Sequence, residues 1–205
     1  MNQVVRTTAQ TASVLALAIG ATLAGASAAA AADPSVELLG VVTEGSGCPR
    51  KGDASATLNG DRIKVSYQRL GVSAGGEDGT SSARLNCVAN LRLKVDKGWE
   101  YAIGTLSMRG AASLVKGAKA EANATHYFAG STATGEAKEV LRGPYDDEFT
   151  SWDRQHGNWS ECGATRALNI NASVYVESRM SDTASELQLN DRGGLVAELK
   201  FRRCD

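Results

Sequence analysis

Carboxylates and aromatic rings crowd into one stretch of this chain. Tyr145, Asp146, Asp147, Glu148 and Phe149 run together; Trp152, Asp153, Arg154 and Gln155 follow, then His156, Asn158 and Trp159 before Cys162. Two chemistries fit these residue types. A pair of carboxylates can divide acid and base roles in glycoside hydrolysis, provided folding sets their separation. Flat rings beside planar amides can instead form a contact surface, the rings offering apolar faces and the amides fixing orientation. On the second reading Tyr145, Trp152, Asp153 and Gln155 are the expected ligand-binding residues. On the first, Asp146, Asp147, Glu148 and Asp153 would serve an extracellular glycan-active hydrolase.

Other reactions lack their parts. The two histidines are His126, inside a strand-like stretch, and His156, beside Gly157 in a polar loop. A nucleophilic triad needs such a base, a nucleophile and an orienting carboxylate brought together in space. The acidic run has no EF-hand spacing. No catalytic residue is assigned, and no metal or cofactor is expected. The favoured reading is a non-catalytic extracellular binding or structural domain, with a cell-wall glycan or an extracellular protein as partner. A secreted protease inhibitor, presenting loops on a rigid frame, is a further alternative. Asn123-Ala-Thr, Asn158-Trp-Ser and Asn171-Ala-Ser match the N-glycosylation pattern, which has meaning only in a host that glycosylates exported proteins.

The compartment is read from the two ends of the cysteine pattern. Residues 1–32 have the form of a signal peptide: Arg6 alone carries charge, an Ala-rich apolar run spans 12–26, and Ala30 and Ala32 offer a small-residue cleavage site before Asp33. That apolar run is short for a membrane span. Cys48, Cys87, Cys162 and Cys204 all follow it, and an even set of cysteines in an exported chain reads as two disulfides. Cleavage would leave residues 33–205 as a single domain with 21 basic and 23 acidic residues, a formal charge of −2. No electrostatic case for nucleic acid or an anionic membrane surface follows from that balance.

The elements that must position these side chains are strands. From Arg84 to Asp96, Leu85, Cys87, Ala89, Leu91, Leu93 and Val95 alternate with polar residues, Val88 being the exception. At 180° per residue one face enters a core and the other meets water. Similar runs occupy 36–42, 62–67, 99–103, 118–128, 168–176 and 195–201, and the phase slips between Tyr67 and Leu70, which predicts a bulge near Arg69. Asn59-Gly60-Asp61, 75–79, Asp96-Lys97-Gly98, Gly143-Pro144 and 191–194 supply the turns. Residues 105–118 carry a weak helical period. The stretch from Ser131 to Gly163 reads as surface loop with short strands, and its Gly143–Cys162 part as the functional loop. The sum is an all-β, disulfide-braced antiparallel β-sandwich or jelly-roll-like domain.

Four cysteines allow three pairings. If 166–178 and 193–203 are antiparallel neighbours, Cys162 comes beside Cys204, which favours Cys162–Cys204 and Cys48–Cys87. Each bridge would close about 40 residues and contribute roughly 3–4 kcal/mol. Trp152, followed by a polar run, is expected to be exposed. Trp159 is expected to be buried against the Cys162 bridge, its replacement by Ala costing roughly 3–5 kcal/mol.

Six motifs occur in order: Gly45-Ser46-Gly47-Cys48-Pro49, Arg84-Leu85-Asn86-Cys87, Lys97-Gly98-Trp99, Gly143-Pro144, Trp159-Ser160-Glu161-Cys162-Gly163 and Asn169-Ile170-Asn171. Their order and spacing resemble the secreted bacterial and fungal family catalogued as domain of unknown function four-three-six-zero. Val88 stands where that family often has Gln after Asn-Cys. The resemblance implies a secreted, disulfide-containing β domain and supplies no activity or catalytic residues.

Overall fold

Period-two alternation becomes two antiparallel sheets packed face to face. The computed structural model describes residues 34–205 except 78, 133, 164, 180–181 and 190–192. The expected signal peptide therefore lies outside the described residues, as do Asp78, Asp191 and Arg192 of the expected turns. The first sheet, A, has the order β1 (Val36–Glu44), β5 (Ser82–Val95), β10 (Ala167–Glu177), β7 (Lys119–Phe128), β8 (Gly135–Arg142). The second, B, contains β2 (Ala54–Asn59), β3 (Arg62–Tyr67), β4 (Leu70–Gly75), β6 (Trp99–Leu114), β9 (Tyr145–Arg154), β11 (Ala184–Leu189) and β12 (Gly194–Arg203).

Register explains why sheet B contains so many pieces. Along one edge of β6, β12 pairs from Trp99 to Arg109 and β11 from Ala111 to Ser113; β9 pairs the other edge. In the next layer β3 pairs β12 and β4 pairs β11. Thus β3 and β4 are successive halves of one line, interrupted at Gln68-Arg69, and β11 and β12 are halves of the line beside it. The predicted bulge near Arg69 is this interruption, which lets Tyr67 and Leu70 both face the core. The hairpin expected at Asn59-Gly60 forms one residue later: Asn59 pairs with Arg62 as the last residue of β2, and Gly60-Asp61 makes the two-residue connection with Gly60 at φ 60°.

Two stretches hold more strand than their local sequence suggests, for a common reason. Residues 105–114 belong to β6, where Leu106, Met108, Ala112 and Leu114 are buried at strand spacing; tertiary pairing on both edges overrides a weak helical period. Much of 131–163 is likewise strand, β8 and β9, joined by a cis Gly143-Pro144 bond that carries the chain from sheet A to sheet B. Gly71-Val72-Ser73-Ala74-Gly75 has the G-x-S-x-G spacing, but it lies within strand β4, whereas a nucleophile elbow is a strand-to-helix turn.

Ala89, Leu91, Ile170, Val174, Ile103, Leu106 and Leu195 fill the interface between sheets. Tyr101 of β6 meets Phe128 of β7 edge to face, centroids 5.3 Å apart at 77°, which ties the sheets through their rings. The disulfides are Cys48–Cys87 and Cys162–Cys204. The favoured pairing is correct and its stated reason is not: β10 and β12 lie in different sheets. Cys162 and Cys204 meet because both flanking segments bond to the start of β6, Gly163 N to Trp99 O (2.9 Å) and Cys204 N to Gly98 O (3.0 Å).

Candidate functional site

The segment rich in carboxylates and rings is an edge strand followed by a stitched loop. Strand β9 lies along β6 from Leu114 to Thr105. After it, Gln155 N donates to Gly104 O (2.8 Å), Ser160 N to Tyr101 O (2.8 Å) and Gly163 N to Trp99 O, so the loop follows β6 to its beginning.

Alternation along β9 separates the expected ligand-binding residues. Trp152 is 62% exposed, opposite Ser107, and shares the outer face of sheet B with Thr150 and Arg154. Asp153 is also exposed, but it has the parity of buried Phe149 and lies opposite buried Leu106, so it leaves from the other side of the strand. Tyr145, at the far end, packs partly against the core and donates its hydroxyl to Glu148 O (2.9 Å). Seven residues of strand put Tyr145 roughly 23 Å from Trp152. The four residues therefore do not form one cluster, and Trp152 is the one that presents a large apolar surface to solvent.

Gln155 turns inward. It is buried, its Oε1 lies 3.1 Å from His126 Nε2, its Nε2 donates to Glu136 O (3.0 Å), and its carbonyl accepts from Lys200 Nζ (3.0 Å). His126 comes from the inner face of β7, and Asn158 Nδ2 lies 3.5 Å from its Nδ1. Burial lowers the His126 pKa below 6.5, partly opposed by the Gln155 bond. Above pH 6.5 folded and unfolded chains both hold a neutral imidazole. Below it the unfolded chain takes up a proton that the folded one refuses, so stability falls as pH drops from 6.5 through the lowered folded value. A steeper loss of Tm between pH 7 and pH 5 in the natural chain than in His126→Gln is the expected result; parallel curves would exclude this coupling.

Trp159 is half-buried rather than buried. The Arg202 guanidinium lies 4.3 Å from its ring centre and the Lys200 ammonium 5.2 Å, both from the outward side of β12. Stacking on cations with partial burial contributes about 1–3 kcal/mol, less than the full-burial figure. Trp159→Ala is expected to lose that amount in urea unfolding, and Trp152→Ala to stay within about 0.5 kcal/mol of the natural chain. Equal losses would mean that Trp152 also supports the fold.

The carboxylates spread over a surface. Asp146 and Glu148 face outward with Glu186 of β11, across Ala111 and Ser113, and border a groove of about 340 Å³. Glu148 pairs with Arg109 at 2.5 Å. Asp146, Asp147, Glu148 and Asp153 are all exposed, whereas a glycosidase general acid needs an environment that keeps its carboxyl protonated. His156 is exposed. Among the described residues, no group of three or more His, Cys, Asp or Glu side chains is placed to hold a metal ion.

A second polar surface was not singled out from the sequence. On the outer face of sheet A, three strands present side chains in register: Asn90, Asn169 and Tyr127; then Val88, Asn171 and Thr125; then Asn86, Ser173 and Asn123. The visible signal was asparagine at alternate positions of two predicted strands, 84–96 and 168–176. Only the strand order, with β10 between β5 and β7, makes them one field.

An uncharacterized secreted protein of Arthroderma benhamiae is 32% identical over 150 residues, covering 70% of this chain and 61% of the relative's length. The chain thus spans less than two thirds of that relative. Both disulfides are formed and no described cysteine is free, in keeping with a secreted protein. The family model described as "Domain of unknown function (DUF4360)" matches residues 34–204. With a match over nearly all of the β-sandwich, the chain belongs to that family.

Proposed function

We propose that this secreted protein is a non-catalytic extracellular binding domain, exported by a cleaved leader over residues 1–32, which meets a cell-wall glycan or extracellular protein through sheet B around Trp152. One observation carries the reading: Trp152 is an indole 62% exposed on an edge strand. It stands at the head of a cross-sheet row that continues through Ser107, Val196, Lys64 and Thr57. Ser107 beside it is small, so a planar ligand can reach the ring face without moving the backbone. Isolated exposed apolar residues are common, but tryptophan is the residue most enriched where partners anchor.

Arg154 and Thr150 share the face of the ring and can donate to and accept from a bound partner, whereas Asp153 leaves from the other side of the strand. Gln155 contributes by holding the end of β9 to His126. Exposure of every carboxylate in 146–153 makes the hydrolase the weaker reading. Binding of the natural chain to isolated cell walls, lost on Trp152→Ala without loss of Tm, is the expected result. Turnover of wall polysaccharide abolished by Asp147→Ala or Glu148→Ala would replace binding with catalysis.

A further inference from the structure

We propose that the outer face of sheet A is a second contact surface, a neutral hydrogen-bonding field for an uncharged polysaccharide. It rests on the reading of the chain as an extracellular binding domain and is independent of Trp152, which lies on the other sheet.

The field is unusual for the outer face of a sheet, and its members are partly exposed except Asn169 and Ser173 on the central strand, which are buried. Antiparallel sheets ordinarily turn mixed polar and charged side chains to water, with β-branched residues favoured and asparagine disfavoured. Here Asn86, Asn90, Asn123, Asn169 and Asn171 stand with Ser173, Thr125 and Tyr127 over three adjacent strands, Val88 being the one apolar member. None of them is charged. Two strand spacings and four residues give a patch roughly 10 by 13 Å between Cα atoms. Charged groups form a rim: Arg84 and Arg92 on β5, Glu121 on β7, and Glu136 and Lys138 on β8, with Lys138 and Glu121 paired at 2.8 Å.

The asparagines are held in fixed orientation. Asn90 Nδ2 donates to Asn169 Oδ1 (2.8 Å), Asn86 Nδ2 to Asn171 Oδ1 (3.5 Å), Ser46 Oγ to Asn86 Oδ1 (3.2 Å), and Asn123 Nδ2 to Glu136 Oε1 (2.6 Å). Each primary amide has two donor hydrogens and a two-lone-pair acceptor, so these bonds leave capacity on the partly exposed Asn86, Asn90 and Asn171. Asn123 Oδ1 is a buried acceptor without a partner among the described residues, beside the exposed Glu136 that accepts from its Nδ2. Residues that break local propensity across several strands are expected at functional surfaces.

Donor and acceptor pairs without net charge complement sugar hydroxyls, each of which both donates and accepts. The Tyr127 ring at one corner can take the apolar face of a pyranose. Polyanions need a basic field and find none at the centre. An uncharged polysaccharide is the ligand class that uses all of these features together.

The test uses the secreted chain against insoluble cellulose, chitin, xylan and β-1,3-glucan, with polygalacturonate as the charged comparison. Retention on at least one neutral polymer and none on polygalacturonate is expected. Asn90→Val/Asn171→Val should reduce retention at least tenfold when assayed well below Tm, which is expected to fall because the buried Asn169 Oδ1 loses its donor. In the natural chain, the side-chain amide resonances of these asparagines should shift on titration with the matching oligosaccharide, a readout that does not depend on the variant folding. Retention unaffected by the asparagine variant, amide resonances that do not move, or no retention on any neutral polymer overturns the proposal. Trp152→Ala separates the two surfaces: neutral-glycan retention that survives it supports the field on sheet A, whereas retention lost with Trp152 and not with the asparagines leaves only the sheet B surface.

Discussion

Cys162→Ala/Cys204→Ala should lower the unfolding free energy by about 4 kcal/mol, and Cys48→Ala/Cys87→Ala should lower it more, by about 5–6 kcal/mol. The shared part is chain entropy: the bridges span 39 and 42 residues, and closure of loops of that length is worth about 4 kcal/mol each. The difference comes from the surroundings. Cys48 and Cys87 are fully buried in the apolar core, whereas Cys162 is exposed and Cys204 half-buried. Removing two buried sulfurs leaves unfilled space, which adds about 1–2 kcal/mol. The same contrast orders reduction: dithiothreitol should open Cys162–Cys204 in the folded protein and reach Cys48–Cys87 only after unfolding. Urea unfolding of the two double variants checks the energies, and mass analysis of alkylated thiols checks the order. Equal losses, or reduction of Cys48–Cys87 first, would show that the core does not enclose that bridge.

Ile170→Ala should cost about 4 kcal/mol, in the upper part of the range for isoleucine truncation. Ile170 lies on the inner face of β10, the central strand of sheet A, and is fully buried. Its register neighbours are Ala89 on β5 and His126 on β7. Alanine has no side chain to swing into the gap, and His126 is held by Gln155. The void therefore persists, and persistent voids account for the larger losses. Val42→Ala, at a position 63% exposed on β1, should stay within about 0.5 kcal/mol. A loss under about 2 kcal/mol for Ile170→Ala would mean that the sheets close over the gap.

What the sequence determined by itself is what depends on neighbouring residues. Alternation from Leu85 to Val95 set β5 and its buried face, because successive side chains of a strand must point to opposite sides. Asn59-Gly60 set the first hairpin, since glycine tolerates the positive φ that the turn needs. The polar run after Trp152 marked it as exposed. The cysteine count in an exported chain set the chemistry of the bridges, though not the route by which they meet.

Tertiary structure decided whatever depends on which strands become neighbours. Residues 105–114 and 145–154 became strands because β6 offered both of its edges, a long-range gain that local propensity does not contain. Gln155 was read as a surface amide; it turned inward because His126, 29 residues earlier in sequence, waited on the inner face of β7. Trp159 found Arg202 and Lys200 only because the segment after β9 follows β6 back toward the end of β12. The asparagine field came from the order β5-β10-β7, which set side by side three strands whose polar faces are separate in the sequence. Alternation tells each strand which residues face outward, and only the pairing of strands tells which outward residues share a surface.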